Sequence, residues 1–141
     1  MKVVLDTNVW LSAVFWEGEA NKIIEKVSKK EREKFEIIIS REIISEIIEV
    51  LNKEAKFQKF IENRKQSIEE LIRTILSITT LIETKTKIEL IKEHPKDNII
   101  LEIAFDGKVD YIVSYDKHIL NLLEFRGIKI TSPTEFLKVF N

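Results

Sequence analysis

Four acidic residues stand at points in the chain from which one chemical site could be assembled: Asp6, Glu46, Asp97 and Asp116. Asp6 ends the apolar run Val3-Val4-Leu5, and Asp116 follows Tyr111-Ile112-Val113-Ser114. Asp97 opens a helix after His94-Pro95-Lys96, and Glu46 lies roughly one and a half turns into the helix that begins at Ser40. Carboxylates gathered together repel one another, and their pKa values rise unless something neutralises them. A divalent cation is the usual neutraliser, and hard oxygen ligands select Mg²⁺ or Mn²⁺ over zinc or copper. Such a cation activates water and stabilises charge developing on a phosphodiester. A pair of them, about 3.5–4 Å apart, clamps both the attacking and the leaving oxygen.

Each acid also has an ordinary role when taken singly. Asp97 and Asp116 are suited to cap helix N-termini, Glu46 could be an exposed helix residue, and Asp6 could close a loop after a strand. What separates them from other acids is placement. In open α/β sheets, ligands bind outside the carboxyl ends of the strands. Asp6 and Asp116 fall at such ends, while Asp97 and Glu46 lie near the starts of the helices that follow. On the helical wheel Glu46 sits at the shoulder of the apolar face, whereas Glu42 and Glu49 lie outside it.

The elements that must hold these acids follow from hydrophobic periodicity. Val3-Val4-Leu5 reads as a buried parallel strand, and residues 9 to about 30 as helical. The mixed-sign run from Lys29 to Lys34 reads as a solvated helix end and linker. Phe35 to Ile39 is a second β-branched run. Ser40 is a good N-cap for a helix whose apolar face carries Ile43, Ile44, Ile47, Ile48 and Leu51. Residues 54–79 read as one or two further helices, and a short strand is expected between Thr80 and Leu90. The helix opened by Asp97 runs from Ile99 to Phe105 and stops at Gly107. Tyr111–Ser114 is another strand, followed by a helix through Leu123, a strand at Ile128–Ile130 and a C-terminal helix from Pro133. Strands alternating with helices specify a parallel sheet flanked by helices. Residues 1–141 contain no internal repeat and no low-complexity segment, and read as a single domain.

Composition narrows the classes. The balance of 44% hydrophobic and 33% charged residues is that of a globular chain. A formal net charge of -1 argues against a protein that coats nucleic acid through a general basic surface, while leaving room for a local basic groove. With no cysteine, disulfides and thiolate-ligated zinc are excluded. The N-terminus meets Asp6 too early for a signal peptide, and no apolar run approaches the roughly 20 residues of a membrane helix. A soluble cytoplasmic protein is expected.

The same segments resemble those of the PIN-domain nucleases. Val3-Val4-Leu5-Asp6-Thr7-Asn8 is similar to their opening strand, and Ser40 to Leu51, with Glu46 inside it, to their second acidic segment. Asp97-Asn98-Ile99-Ile100-Leu101-Glu102-Ile103-Ala104 resembles the third, and Asp110-Tyr111-Ile112-Val113-Ser114-Tyr115-Asp116 the fourth. The tail Gly127-Ile128-Lys129-Ile130-Thr131-Ser132-Pro133-Thr134-Glu135-Phe136 is similar to the subfamily that includes VapC-like toxin components. The likeness runs in order over nearly the whole chain. It implies a three-layer α/β/α sandwich around a central parallel sheet of about five strands, and Mg²⁺- or Mn²⁺-dependent cleavage of single-stranded RNA. It implies that Asp6, Glu46 and Asp97 hold the metal, with Asp116 as a further ligand or a water-positioning acid. Asn8 and Ser114 would hydrogen-bond the acids or the water at the metal. Many relatives are the toxin of a toxin–antitoxin pair and form homodimers, so an antitoxin and a second copy are the implied partners. One departure is Tyr115, where a glycine is common; its ring would narrow access or stack on a base.

Other folds that gather acids fit these residues less well. A haloacid-dehalogenase-type phosphatase also begins with a strand ending in Asp, but it needs a second Asp two residues on as general acid, and that position is Asn8. A receiver domain needs an acid pair beside the first strand and a late Lys, and neither is evident. A catalytically inactive PIN-like protein that only binds a partner is the remaining alternative. Trp10 and Trp16 are expected to pack in the core or at a dimer interface, and His118 to be a surface or capping residue. The basic stretch Lys53, Lys56, Lys59, Arg64 and Lys65 reads as a solvated helix face.

Overall fold

The computed structural model describes residues 1–28 and 36–139, and the linker expected at Lys29–Lys34 lies outside the described residues. The chain opens with strand β1 (Lys2–Leu5), whose Val3, Val4 and Leu5 are fully buried on both faces. Two helices, α1 (Thr7–Phe15) and α2 (Glu19–Ser28), lead to β2 (Glu36–Ser40). The single helical stretch expected here is thus broken. Trp16 takes an extended conformation (φ -128, ψ 149) and lays its ring against Phe57 and Phe60 at 5.9 and 5.6 Å between centroids.

Ser40 caps α3 (Arg41–Lys53), its hydroxyl accepting the Ile43 amide at 3.4 Å. The apolar stripe Ile43, Ile47 and Leu51 is buried, as the 3.6-residue period requires. Helices α4 (Ala55–Asn63) and α5 (Ile68–Ser77) follow, then the edge strand β3 (Thr79–Ile82). The short strand expected between Thr80 and Leu90 thus falls at the start of that span, opening one residue earlier. Residues 83–94 form no regular element and run as a strap beside helix α6 (Asn98–Asp106).

That strap is tied to α6 at two points. Near the C-terminal end of the helix, the Asp106 carboxylate accepts the Lys85 and Thr86 amides (2.6 and 2.9 Å) and the Thr86 hydroxyl (2.6 Å). These bonds, the Thr86 hydroxyl's first, hold the Asp106 carboxyl below its ordinary range. At the N-terminal end, Asn98 grips Ile91. Between the two ties, Ile88 is buried.

The rest of the chain alternates β4 (Tyr111–Val113), a short α7 (Lys117–Leu120), β5 (Glu124–Phe125), β6 (Ile128–Thr131) and α8 (Pro133–Val139). The sheet has the order β3-β2-β1-β4-β6-β5. Its first five strands are parallel and β5 runs antiparallel to β6. The expected count of about five strands omitted β5. That strand is only two residues long, and a turn through Arg126 and Gly127, both at positive φ (48 and 84), folds it back onto β6. The helix expected to reach Leu123 stops at Leu120, because Leu123 takes positive φ (61) on the way into β5.

The result is a three-layer α/β/α sandwich. From β1 the chain winds outward through β2 to β3, then returns through α6 to β4 on the other side of β1. The strand order reverses between β1 and β4, which makes the carboxyl ends of those strands the switch point where α/β sheets open a crevice. Gly107 lets α6 sit close to the sheet. A Cβ there would lie 2.9 Å from the Ile103 carbonyl oxygen and 3.0 Å from Ile38 Cγ2.

Candidate active site

Asp6 leaves β1 at this switch point. Its amide is still bonded into the sheet, donating to the Val113 carbonyl at 3.0 Å, and it then caps α1. Its Oδ1 accepts the Thr7 amide at 2.9 Å, and its Oδ2 accepts the Ser114 hydroxyl at 2.8 Å. Ser114 is fully buried at the end of β4, and its hydroxyl oxygen also accepts the Asp116 amide at 2.9 Å. One serine therefore ties Asp6 to the turn that carries Asp116. Asp116 in turn caps α7, its Oδ1 accepting the His118 amide at 2.8 Å.

Glu46 reaches the same place from α3. Its Oε2 accepts the Thr7 hydroxyl at 2.6 Å, so the first residue of α1 links two acids that are 40 positions apart. Asp97 ends a short 3-10 turn (Pro95–Asp97) and precedes α6, but its side chain makes no cap hydrogen bond. Among the described residues its carboxylate accepts no hydrogen bond at all, which removes the capping role as its explanation.

All four acids line one open cleft of about 320 Å³, together with Thr7, Asn8, Glu49, Lys53 and Lys96. Withdrawal from water pushes the Asp6 carboxyl up to about 6; the hydrogen bonds from Ser114 and Thr7 oppose the rise, and the Glu46 and Asp116 carboxylates add to it. The Asp97 carboxyl is raised as well, first by burial and then by Asp116, with the His94 and His118 imidazoles pulling it down. Asp6 and Asp97 are thus both in the field of Asp116, and in each the upward pushes on the carboxyl outweigh the downward ones. Among the described residues, no three carboxylates or imidazoles already stand at the spacing of a finished metal site. The donors offered are carboxylate and hydroxyl oxygens throughout, and a hard divalent cation suits that set and that charge.

The neighbours of the four acids meet some expectations and depart from others. Thr7, and not Asn8, supplies the hydrogen bond to Glu46; Asn8 is exposed in the cleft wall and bonds to none of the four acids among the described residues. The signal was present in Asp6-Thr7-Asn8, a hydroxyl directly after the capping acid, but which residue of that turn faces α3 depends on how the helices pack. Tyr115 is exposed and lies outside the cleft lining, so it does not narrow the opening. His118 is exposed with its ring 4.2 Å from that of His94. Trp10 is fully buried in the core, while Trp16 stays 43% exposed beside Phe57 and Phe60. The basic stretch divides. Lys53 lines the cleft and pairs with Glu49 at 2.6 Å, and Arg64 turns away to donate to the Val14 and Phe15 carbonyls at 2.9 and 3.2 Å.

Fold and cleft together define an α/β protein with an acidic site at the switch point of a parallel sheet. A family model of the PIN domain matches residues 2–118, and the chain belongs to the PIN-domain family, whose members are nucleases. No curated protein matches the sequence. Among solved structures, a chain of the VapBC2 complex from Rickettsia felis, crystallised with a DNA fragment of its promoter, superimposes with a TM-score of 0.62. It is 17% identical, over 92% of this chain and 97% of that one. No helix among the described residues is long and apolar enough to cross a membrane.

Proposed function

We propose that the protein is a metal-dependent endoribonuclease that cleaves single-stranded RNA in the cleft formed by Asp6, Glu46, Asp97 and Asp116. One observation carries the reading: four carboxylates from four separate segments line a single cleft, and burial raises the carboxyl of one of them, Asp6, to about 6. Building and keeping such a cluster costs stability, and a bound cation is what makes it useful. Asp6, Glu46 and Asp97 would hold Mg²⁺ or Mn²⁺, and Asp116 would add a ligand or position water. When bound, the cation supplies the positive charge that activates water and stabilises the phosphodiester as it is attacked.

The chain's own groups have separate tasks in this reading. Ser114 fixes the rotamer of Asp6 through Oδ2 and holds the Asp116 turn against it. Thr7 orients Glu46 through Oε2. Lys53 and Lys96, in the wall of the cleft, offer positive charge to flanking phosphates. The parallel with a toxin–antitoxin complex extends the proposal: the protein acts as the toxin of such a pair, held by a protein antitoxin. The family resemblance adds a second copy of the chain, so the proposal includes a homodimer. The test is direct. Labelled single-stranded RNA is incubated with the purified protein in Mg²⁺ or Mn²⁺, beside an EDTA control and Asp6→Asn. Cleavage should vanish in both, with Asp6→Asn losing about a thousandfold or more, equivalent to about 4 kcal/mol of transition-state stabilisation. RNA left intact by a protein that also binds no metal would leave a partner-binding scaffold instead.

A further inference from the structure

Three of the four acids in the cleft are held by hydrogen bonds to their carboxylates: Asp6 by Thr7 and Ser114, Glu46 by Thr7, Asp116 by the His118 amide. Asp97 has none among the described residues. Its position is therefore set by its backbone alone, in the single 3-10 turn Pro95–Asp97 that joins the irregular strap to α6. What fixes it is the next residue. Asn98 is 5% exposed, and its side chain uses both ends of its amide. Its Oδ1 accepts the Ile91 amide at 2.8 Å, and its Nδ2 donates to the Ile91 carbonyl at 2.8 Å and to the Pro95 carbonyl at 3.2 Å. Three hydrogen bonds thus close residues 91–98 into a compact loop around one amide, with Asp97 carried on it beside the cleft. The Asp97 amide, donating to the His94 carbonyl at 2.9 Å, completes the loop.

We infer that Asn98 is a positioning residue for Asp97, acting through the loop it closes to hold that carboxylate at the metal. The inference rests on the metal-site reading above. The residue type is demanding here. Only a carboxamide presents an acceptor to the Ile91 amide and donors to two carbonyls from one short planar group. Aspartate would keep the first bond and set a negative charge against the two carbonyls. Leucine or alanine would remove all three bonds and leave the part-buried Ile91 backbone groups without these partners.

Mn²⁺ binding measured by calorimetry on the full chain tests this without relying on turnover, using Asn98→Ala, Asn98→Asp, Asp97→Asn, the Asp97→Asn/Asn98→Ala double variant, and Asp106→Ala. Asn98→Ala should weaken Mn²⁺ binding about tenfold or more, the loss typical when a ligand's supporting partner is removed. Asp106→Ala, which frees the other end of the strap, should leave binding within about twofold. On the Asp97→Asn background, Asn98→Ala should have little further effect, because the group it positions is already gone. An Asn98→Ala protein that binds as tightly as the unsubstituted chain overturns the inference. So does an equal loss on both backgrounds, which would mean general loosening. If Asn98→Ala does not fold, Asn98→Asp takes its place in the cycle with the same expectations. Absence of Mn²⁺ binding by the unsubstituted protein would sink the metal-site reading and this inference with it.

Discussion

On the β1–β4 side of the cleft, acids are held by side chains that are themselves locked in the sheet or in the helix that follows it. Ser114 is fully buried, Thr7 opens α1, and Asp6 shares a backbone hydrogen bond with Val113. On the α6 side, Asp97 rides on a loop closed by a single amide, and its carboxylate is left with freedom to turn. The first arrangement withdraws charge from water and raises its energy; the second leaves charge adjustable. A site that must be formed before the cation arrives, yet fit itself to the cation, has use for both.

The largest effect that would break this comparison is on stability. The Asp6 carboxyl lies near 6 in the folded chain against an ordinary 3.8, so between those values the folded state binds the proton more tightly than the unfolded one. Protonation of Asp6 therefore favours folding at low pH, and the advantage is lost as pH rises through 6. Above that, the charge costs about 3 kcal/mol. Asp6→Asn keeps a carbonyl for the Thr7 amide and removes the charge. In EDTA it should gain about 3 kcal/mol by denaturant unfolding at pH 8 and almost nothing at pH 4. A difference between variant and parent that does not change with pH would place Asp6 in ordinary solvent.

Next in size, Ser114→Ala removes the donor to Asp6 and the acceptor for the Asp116 amide together, and Mn²⁺ affinity should fall about thirtyfold, or about 2 kcal/mol. A loss under threefold would mean that the paired strands hold Asp6 without help. On the other side, Gly107→Ala drives a methyl group against the Ile103 carbonyl and Ile38, pushing α6 off the sheet at a cost of about 2 kcal/mol in thermal or denaturant unfolding. An unchanged melting temperature would indicate that the helix has room to shift. Thr7→Val is the mildest. It loses the single hydrogen bond to Glu46 and should weaken Mn²⁺ by about fivefold, near 1 kcal/mol.

The sequence made visible what local rules control. Apolar runs marked β1, β2 and β4, the serine at position 40 marked the start of α3, and the acids directly after β1 and β4 could be placed at the sheet edge from their neighbours alone. The wheel position of Glu46 separated it from Glu42, which lies exposed and takes the Thr84 hydroxyl at 3.1 Å. What escaped depends on contacts between distant residues. The end of α1 at Trp16 goes with edge-on packing against Phe57 and Phe60 of α4, and β5 exists because two residues pair back onto β6. The choice of Thr7 over Asn8 rests on a contact between α1 and α3, residues 39 positions apart. Asn98 read as an unremarkable helix start, because its partner Ile91 sits in a segment with no periodicity of its own.

The strap has one more consequence, for how the chain tolerates change. Both of its anchors, Asp106 and Asn98, belong to the same helix, so the distance between them is fixed by α6 and not by the strap itself. Between the buried Ile88 and the gripped Ile91, Glu89 and Leu90 are exposed, with Leu90 at 52%. Residues inserted there would bulge into solvent at the small entropic cost of a longer loop, while the helix kept both ends in register. The length of this segment is thus uncoupled from the geometry of the cleft, and Glu89–Leu90 is where the chain can grow without disturbing Asp97.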